Sequence, residues 1–228
     1  MTFVILFLAA IIGLAVLPQM WVQRVIARHS ADRPDFPGTG GELARHLLDE
    51  LRLGHVKVEE TKDGDHYDPD AKAVRLAPQH FNGRSLAALV IAAHETGHAM
   101  QDATEYPPLK KRTVLARQAA TIERVGAVIM LAAPIMVVLA RSPTVLALEL
   151  LAGALILGTT IIMHAYTLPV EFDASFRRAL PVLRAGKYIP DKDLPAARQL
   201  LRAAAFTCVA AAAMSMLDVV RWLRVLRL

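Results

Sequence analysis

Cysteine is nearly absent. Cys208 is the only one among 228 residues, so no disulfide can close within the chain and a cystine-stapled fold is excluded. A lone cysteine is compatible with a reducing compartment. No internal repeat and no low-complexity tract is visible, and polar residues are too few for a disordered chain. Against these absences stand 54% hydrophobic residues and a mean hydropathy of +0.37, too high for a purely water-soluble enzyme. Charged residues nevertheless make up 21%, with 26 Lys and Arg against 21 Asp and Glu, so the chain is not apolar from end to end. The composition therefore predicts a protein divided between lipid and water.

Four stretches approach the roughly 20 apolar residues that cross a bilayer as helix. Residues 3–22 hold no charge, contain Pro18, and end at Trp21 ahead of Arg24 and Arg28. No basic residue precedes this run and no small-x-small site closes it, so it reads as a retained anchor and not as a cleaved signal peptide. Residues 125–140 and 144–166 are separated only by Arg141-Ser-Pro-Thr, which reads as a transmembrane hairpin. Residues 203–220 are Ala-rich, include Thr207, Ser215 and Asp218, and lead into three terminal arginines; this stretch reads as a fourth span or as a helix on the membrane surface. The polar segments 23–124 and 167–202 must then share one side, because the hairpin between them crosses twice. They carry 15 and 7 of the 26 Lys and Arg, which by the positive-inside rule puts both in the cytoplasm.

Within the first polar segment, Gly38-Thr-Gly-Gly breaks the chain, and Glu42 to Leu51 has the spacing of an amphipathic helix that stops at Gly54. Residues 56–77 alternate at both ends and read as two short strands joined by a long polar turn; the second, 73–77, is a candidate for holding a substrate backbone by strand addition. Ser85 can cap a helix running from Leu86 to about Asp102, before Pro107-Pro108 prevents its extension. The basic run Lys110-Lys111-Arg112 reads as a clamp on anionic lipid and not as a nucleic-acid site.

That last helix carries His94-Glu95-Thr96-Gly97-His98. Two histidines four apart lie on one helical face and can share one metal ion, while Glu95 is angled to act as a general base on a water beside it. Zinc is the metal expected, since it accepts imidazole and carboxylate and leaves a position for water. The preceding Leu89-Val-Ile-Ala-Ala marks the helix as largely buried, and burying two histidines and a glutamate without a partner is costly. A third protein ligand must lie on the same side of the membrane. Leu168-Pro-Val-Glu-Phe-Asp-Ala-Ser offers Glu171 and Asp173, and spacing alone leaves the choice open: Glu171 can be a favourable charge in the first turn of a helix begun by Pro169, and Asp173 can pair with Arg177. In the turn at 65–69, His66 or Tyr67 can hydrogen-bond a tetrahedral oxyanion, although Asp and Pro there are ordinary turn formers. His164, near the end of a predicted span, is the one other histidine with a possible functional reading.

The string Ala92-Ala93-His94-Glu95-x-Gly97-His98-Ala99-x-Gln101, the turn Asp65-His66-Tyr67-Asp68-Pro69, the run from Leu168 to Ser175 and the late Leu201-x-Ala-Ala-Ala-Phe-Thr together resemble the bacterial YugP-like neutral zinc membrane metallopeptidases. The resemblance covers nearly the whole chain. It implies a gluzincin-type peptidase with His94, His98 and Glu171 as ligands of one zinc ion per chain and Glu95 as base, and leaves Asp173, His66 and Tyr67 as groups that orient a ligand or bind the oxyanion. Better-known gluzincins place an Asp four residues beyond the glutamate ligand to orient a histidine; here that position is Ser175.

The fold expected is an α-helical membrane protein with three to four transmembrane helices and a small α+β cytoplasmic metallopeptidase lobe. Its parts are an anchor (1–22), a cytoplasmic lobe with the active-site helix (23–124), a transmembrane hairpin (125–166), a cytoplasmic segment with the third ligand (167–202) and a C-terminal membrane helix with basic tail (203–228). The activity expected is zinc-dependent hydrolysis of peptide bonds at the bacterial inner membrane, in a multi-pass protein whose active site faces the cytoplasm. Its partners would be a protein or peptide substrate and membrane lipid, with no nucleic acid. The rival of another class is a membrane assembly subunit with a structural or inactive metal site.

Overall fold

The computed structural model describes residues 2–140, 143–207 and 210. Helix α1 is Thr2–Arg28 and is followed by α2, Gly40–Glu50. The start of α2 is fixed by a capping box: the Thr39 hydroxyl accepts from the Glu42 amide at 3.2 Å, and the Glu42 carboxylate accepts from the Thr39 amide at 2.8 Å. Three short strands come next, β1 (Lys57–Glu60), β2 (His66–Asp68) and β3 (Ala73–Leu76), and then the short α3, Pro78–Phe81. Helix α4, Leu86–Ala103, begins where the Ser85 hydroxyl accepts from the Ala88 amide at 3.1 Å. The remaining elements are α5 (Pro107–Ala140), α6 (Pro143–Phe172), a π-helical segment (Asp173–Ala179), α7 (Leu180–Ala185), a 3₁₀ turn (Asp191–Asp193) and α8 (residues 194–207).

These residues form two compact units: Lys111–Thr167 with the chain up to Gln19, and Met20–Lys110 with Leu168–Thr207. The second unit is organised around α4, which is buried on nearly every face from Leu86 to Ala99. Its apolar core joins Ala44 and Leu48 of α2, Val74 and Leu76 of β3, and Ile91, Ala92 and Ala99 of α4. Each fully buried Leu or Val there contributes roughly 1.5–3 kcal/mol of transfer free energy, which holds α4 against the sheet.

The sheet corrects the expectation of two strands and a turn. Its order is β1-β3-β2, with β1 parallel to β3 and β2 antiparallel to it. Strands running the same way need a connection that crosses back, and β2 forms within that connection. Its sequence has no apolar alternation to announce it. Polar bonds hold it instead: Arg75 of β3 bridges Glu59 of β1 at 3.0 Å and Asp68 of β2 at 2.7 Å, and Asp65 accepts from the Ala77 amide at 2.8 Å. Because β3 is paired on both sides, it has no free edge for strand addition, and that expected role of residues 73–77 is withdrawn.

The expected fold class of a protein with three to four transmembrane helices is also corrected. Helices do form over the first three apolar stretches, but among the described residues no helix is long and apolar enough to cross a membrane. Of the fourth stretch, residues 208, 209 and 211–220 lie outside the described residues, as does the side chain of His164. Apolarity is sufficient to predict a helix, whereas a span also needs an uninterrupted apolar length. The uncharged run at the end of α5, residues 125–140, is roughly 24 Å long at 1.5 Å per residue, short of a hydrocarbon core of about 30 Å. Pro18 lies within α1, and Glu149 and His164 lie within α6. What the described residues show is an α-rich fold with a small three-stranded sheet.

Candidate metal centre

Two helical elements meet to build the centre. On α4, His94 and His98 are one turn apart and present their rings at 4.9 Å, nearly perpendicular. Opposite them, α6 runs through Pro169 and widens at once into the π-helical segment. The expectation that Pro169 opens a new helix is therefore not met. Proline has no amide to donate to the preceding turn, and the ladder that it breaks is resumed in the wider π register. Glu171, at the junction, is turned onto the two histidines, while Asp173 and Ser175, also buried, face α4 from the wider turn.

Close approach of the two elements depends on Gly97. A Cβ placed there would lie 2.7 Å from the carbonyl oxygen of Ala174, a backbone atom that cannot rotate away. The glycine within the histidine motif thus has a packing reason of its own. Thr96, its neighbour, turns its hydroxyl back to the Ala92 carbonyl at 2.9 Å.

One oxygen of Glu171 lies 3.2 Å from His94 Nε2 and 3.1 Å from His98 Nε2, and all three groups are at most 5% exposed. The hydrogen-bond network sets the protonation of each ring. Gln101 Nε2 donates to the Val170 carbonyl at 2.8 Å and to Asp173 Oδ2 at 2.9 Å, so its Oε1 must be the acceptor that receives His98 Nδ1–H at 2.9 Å. Ser175 donates its proton to the Leu201 carbonyl at 3.2 Å, so its oxygen accepts from His94 Nδ1–H at 3.0 Å. Both Nε2 atoms are then lone pairs, and the carboxylate oxygen between them is an acceptor as well. Three acceptors converge with no proton among them, within 4.8 Å of one another. A shared proton would join only one of the nitrogens to the carboxylate and leave the other facing it. A metal cation satisfies all three, and two imidazoles with one carboxylate are a donor set suited to zinc.

The charges fit that reading. Burial raises the pKa of the Glu171 carboxyl, and positive charge at the His98 and His94 positions outweighs burial and holds it well below the ordinary range, a part that a shared cation takes when both imidazoles are neutral. Asp173 behaves similarly: burial raises it, and the hydrogen bonds from Arg178 at 2.8 Å and from Gln101 bring it below its ordinary value. Arg178, Asp173, Gln101 and His98 thus form one continuous chain of hydrogen bonds ending at the centre. Asp173 contacts Gln101 and Arg178, not Arg177, and takes no place among the three converging donors.

The turn residues are used elsewhere. The Tyr67 hydroxyl donates to Asp102 Oδ2 at 2.6 Å, where Lys72 also binds, and burial together with that bond raises its pKa. His66 Nδ1 donates to the Gly64 carbonyl at 2.9 Å. Their contacts fasten β2 to the end of α4 and to its own turn. Glu95 is buried at 7% exposure between the two histidines in sequence. Sequence reasoning assigns no role to Gln101 or Arg178. The signals for Gln101 are its place three residues after His98, on the same helical face, and its presence in the string that carries the family resemblance. Ser175, the position where an Asp was missed, supplies the acceptor for His94.

Comparison with known proteins points to the same metal. Residues 3–227 match the model of a family described as "Putative neutral zinc metallopeptidase". The chain is 31% identical over 229 residues, covering 99% of this chain and 96% of the relative, to the "Putative membrane protease YugP" of Bacillus subtilis (strain 168). No solved structure matches.

Proposed function

This chain belongs to the neutral zinc metallopeptidase family, and from that premise we propose that it is an endopeptidase whose single zinc ion is held by His94, His98 and Glu171 and whose general base is Glu95. The observation that supports this most is the convergence of three acceptor atoms whose outer hydrogen bonds are already made. A structural zinc site is normally closed by four protein ligands; among the described residues this one has three donors, the number left by a catalytic site. When bound, zinc supplies a Lewis acid that polarises a carbonyl and acidifies a water.

The chain's own residues do the rest. His94 and His98 are kept as neutral donors by Ser175 and Gln101, and the Glu171 carboxylate offsets half of a dication's charge, leaving the centre electrophilic. Glu95 takes a proton from the attacking water onto a carboxylate oxygen and delivers it to the nitrogen of the leaving amine. The substrate is a peptide or protein. Action at a membrane enters the proposal from the relative, which is named a membrane protease.

The test is cleavage of a denatured-protein substrate by the zinc-loaded chain and by Glu95→Gln. The amide keeps shape but accepts no proton, so cleavage should fall about 10²- to 10⁴-fold with zinc content unchanged. Equal cleavage by the two proteins would remove Glu95 from the mechanism. Sedimentation of the chain with membranes, resistant to salt, tests the membrane setting separately.

A further inference from the structure

Beside the centre, on another face of the helix that carries Glu171, is an open cavity of about 520 Å³. Successive helical residues point about 100° apart, so when Glu171 faces the histidines, Phe172 faces this cavity. Phe172, Phe176 and Tyr106 supply apolar wall, and Arg177 and Arg202 stand exposed around it. Among the described residues neither arginine makes a hydrogen bond or ion pair; Arg177 acts only at a distance, in the field at Asp173. The one carboxylate of the wall, Asp173, is already bound by Arg178 and Gln101. Arg178 in turn lies over the Tyr106 ring at 5.5 Å. The cavity therefore presents two unpaired guanidiniums, Arg177 and Arg202, and one acid that Arg178 already neutralises.

Its apolar wall continues away from the centre. Phe172 packs on Phe176 at 5.6 Å and edge-on to Phe206 at 5.8 Å, and Phe206 packs edge-on to Trp21 at 6.2 Å. Trp21 is 38% exposed and Met20 beside it 37%. A file of aromatic rings ending in an exposed tryptophan, bordered by unpaired arginines, is the composition that proteins place at the headgroup level of a membrane. A phosphate alone would leave most of the cavity empty. A phosphate with glycerol and the first acyl carbons would cover the rings.

We propose that this cavity binds the head group of an anionic phospholipid, its phosphate between Arg177 and Arg202 and its glycerol and upper acyl carbons against Phe172 and Phe176. The proposal deepens the membrane setting given above and does not depend on catalysis.

The experiment measures binding of soluble dioctanoyl phosphatidylglycerol to the purified full-length chain by thermophoresis. Dioctanoyl phosphatidylcholine, glycerol 3-phosphate and an acidic hexapeptide are the comparison probes. Phosphatidylglycerol should bind tightest, and Arg177→Gln/Arg202→Gln should weaken it roughly 30-fold, with Arg202→Gln alone weakening it about fivefold. Zinc content and melting temperature like those of the unmodified chain show that each variant is folded, and the single variant decides if the double one is not. Equal binding of the two lipids, tighter binding of the peptide or of glycerol 3-phosphate, or unchanged binding in the folded variants would overturn the proposal. Absence of the chain from sedimented membranes would instead refute the membrane setting and leave the lipid measurement standing.

Discussion

Replacing Gln101 by leucine separates the role of this residue in orienting His98 from its role in packing. The two side chains are close in volume and the site is fully buried, so the substitution leaves the space filled. It removes three hydrogen bonds at once: the acceptor for His98 Nδ1–H at 2.9 Å and the donor to Val170 O at 2.8 Å and Asp173 Oδ2 at 2.9 Å. Two are between neutral groups, at about 1 kcal/mol each, and one reaches a carboxylate, at about 1.5–3 kcal/mol. The loss in unfolding free energy should then be roughly 3–5 kcal/mol, measured by urea denaturation. Without its acceptor, His98 can also carry its proton on Nε2, where the metal must bind, so zinc affinity should fall about 10- to 100-fold in a chelator competition. Gln101→Glu keeps the acceptor for His98 but sets a second carboxylate against Asp173. It should bind zinc more tightly than Gln101→Leu while being no more stable. If Gln101→Leu binds zinc within twofold of the unmodified chain, the orienting argument is wrong.

Gly97→Ala should disrupt the centre without touching a ligand, because its methyl group would lie 2.7 Å from the Ala174 carbonyl; a stability loss of about 1–3 kcal/mol is expected, together with weaker zinc binding. Normal stability would mean that the two elements are less tightly apposed. Tyr67→Phe removes the bond to the Asp102 carboxylate, which keeps Lys72, and should cost about 1.5–3 kcal/mol in chemical denaturation with zinc affinity unchanged. A Tyr67→Phe protein that loses zinc would place the turn in the centre after all. Asp173 has a pKa lower in the folded than in the unfolded chain, so its contribution to stability is present above its ordinary value and is lost as pH falls through the folded one. Unfolding free energy should drop on acidification through the carboxylate range, and Asp173→Asn should flatten that drop; an unaltered slope would refute the assignment.

Legibility differed from one part of the chain to another for physical reasons. The helix that carries His94 and His98 could be located because Ser85, the apolar run after it and Pro107 mark its two ends locally. Glu171 could not be chosen over Asp173 from spacing, because the choice depends on a π-helical turn whose register has no local sequence code; the family resemblance singled out Glu171. Gln101 is fixed by bonds to Val170 and Asp173, 69 and 72 positions away in the chain, and Arg178 reaches the centre only through that bond to Asp173; such pairing is visible only in three dimensions. Strand β2 was hidden inside a polar turn because hydrogen bonds, and not apolar alternation, hold it. The first three apolar stretches, which read as membrane spans, form helices that are not long and apolar enough to cross among the described residues, since apolarity gives helix before it gives a crossing.

The central claim is that zinc sits among His94, His98 and Glu171, and X-ray absorption at the zinc edge of the full-length, zinc-loaded chain tests it most directly. The account predicts two imidazole nitrogens at about 2.0–2.1 Å with the remaining scatterers all oxygen. A shell requiring sulfur at about 2.3 Å would bring Cys208, the only cysteine, to the metal, and a fit without imidazole scattering would remove the two histidines. Either result would contradict the account.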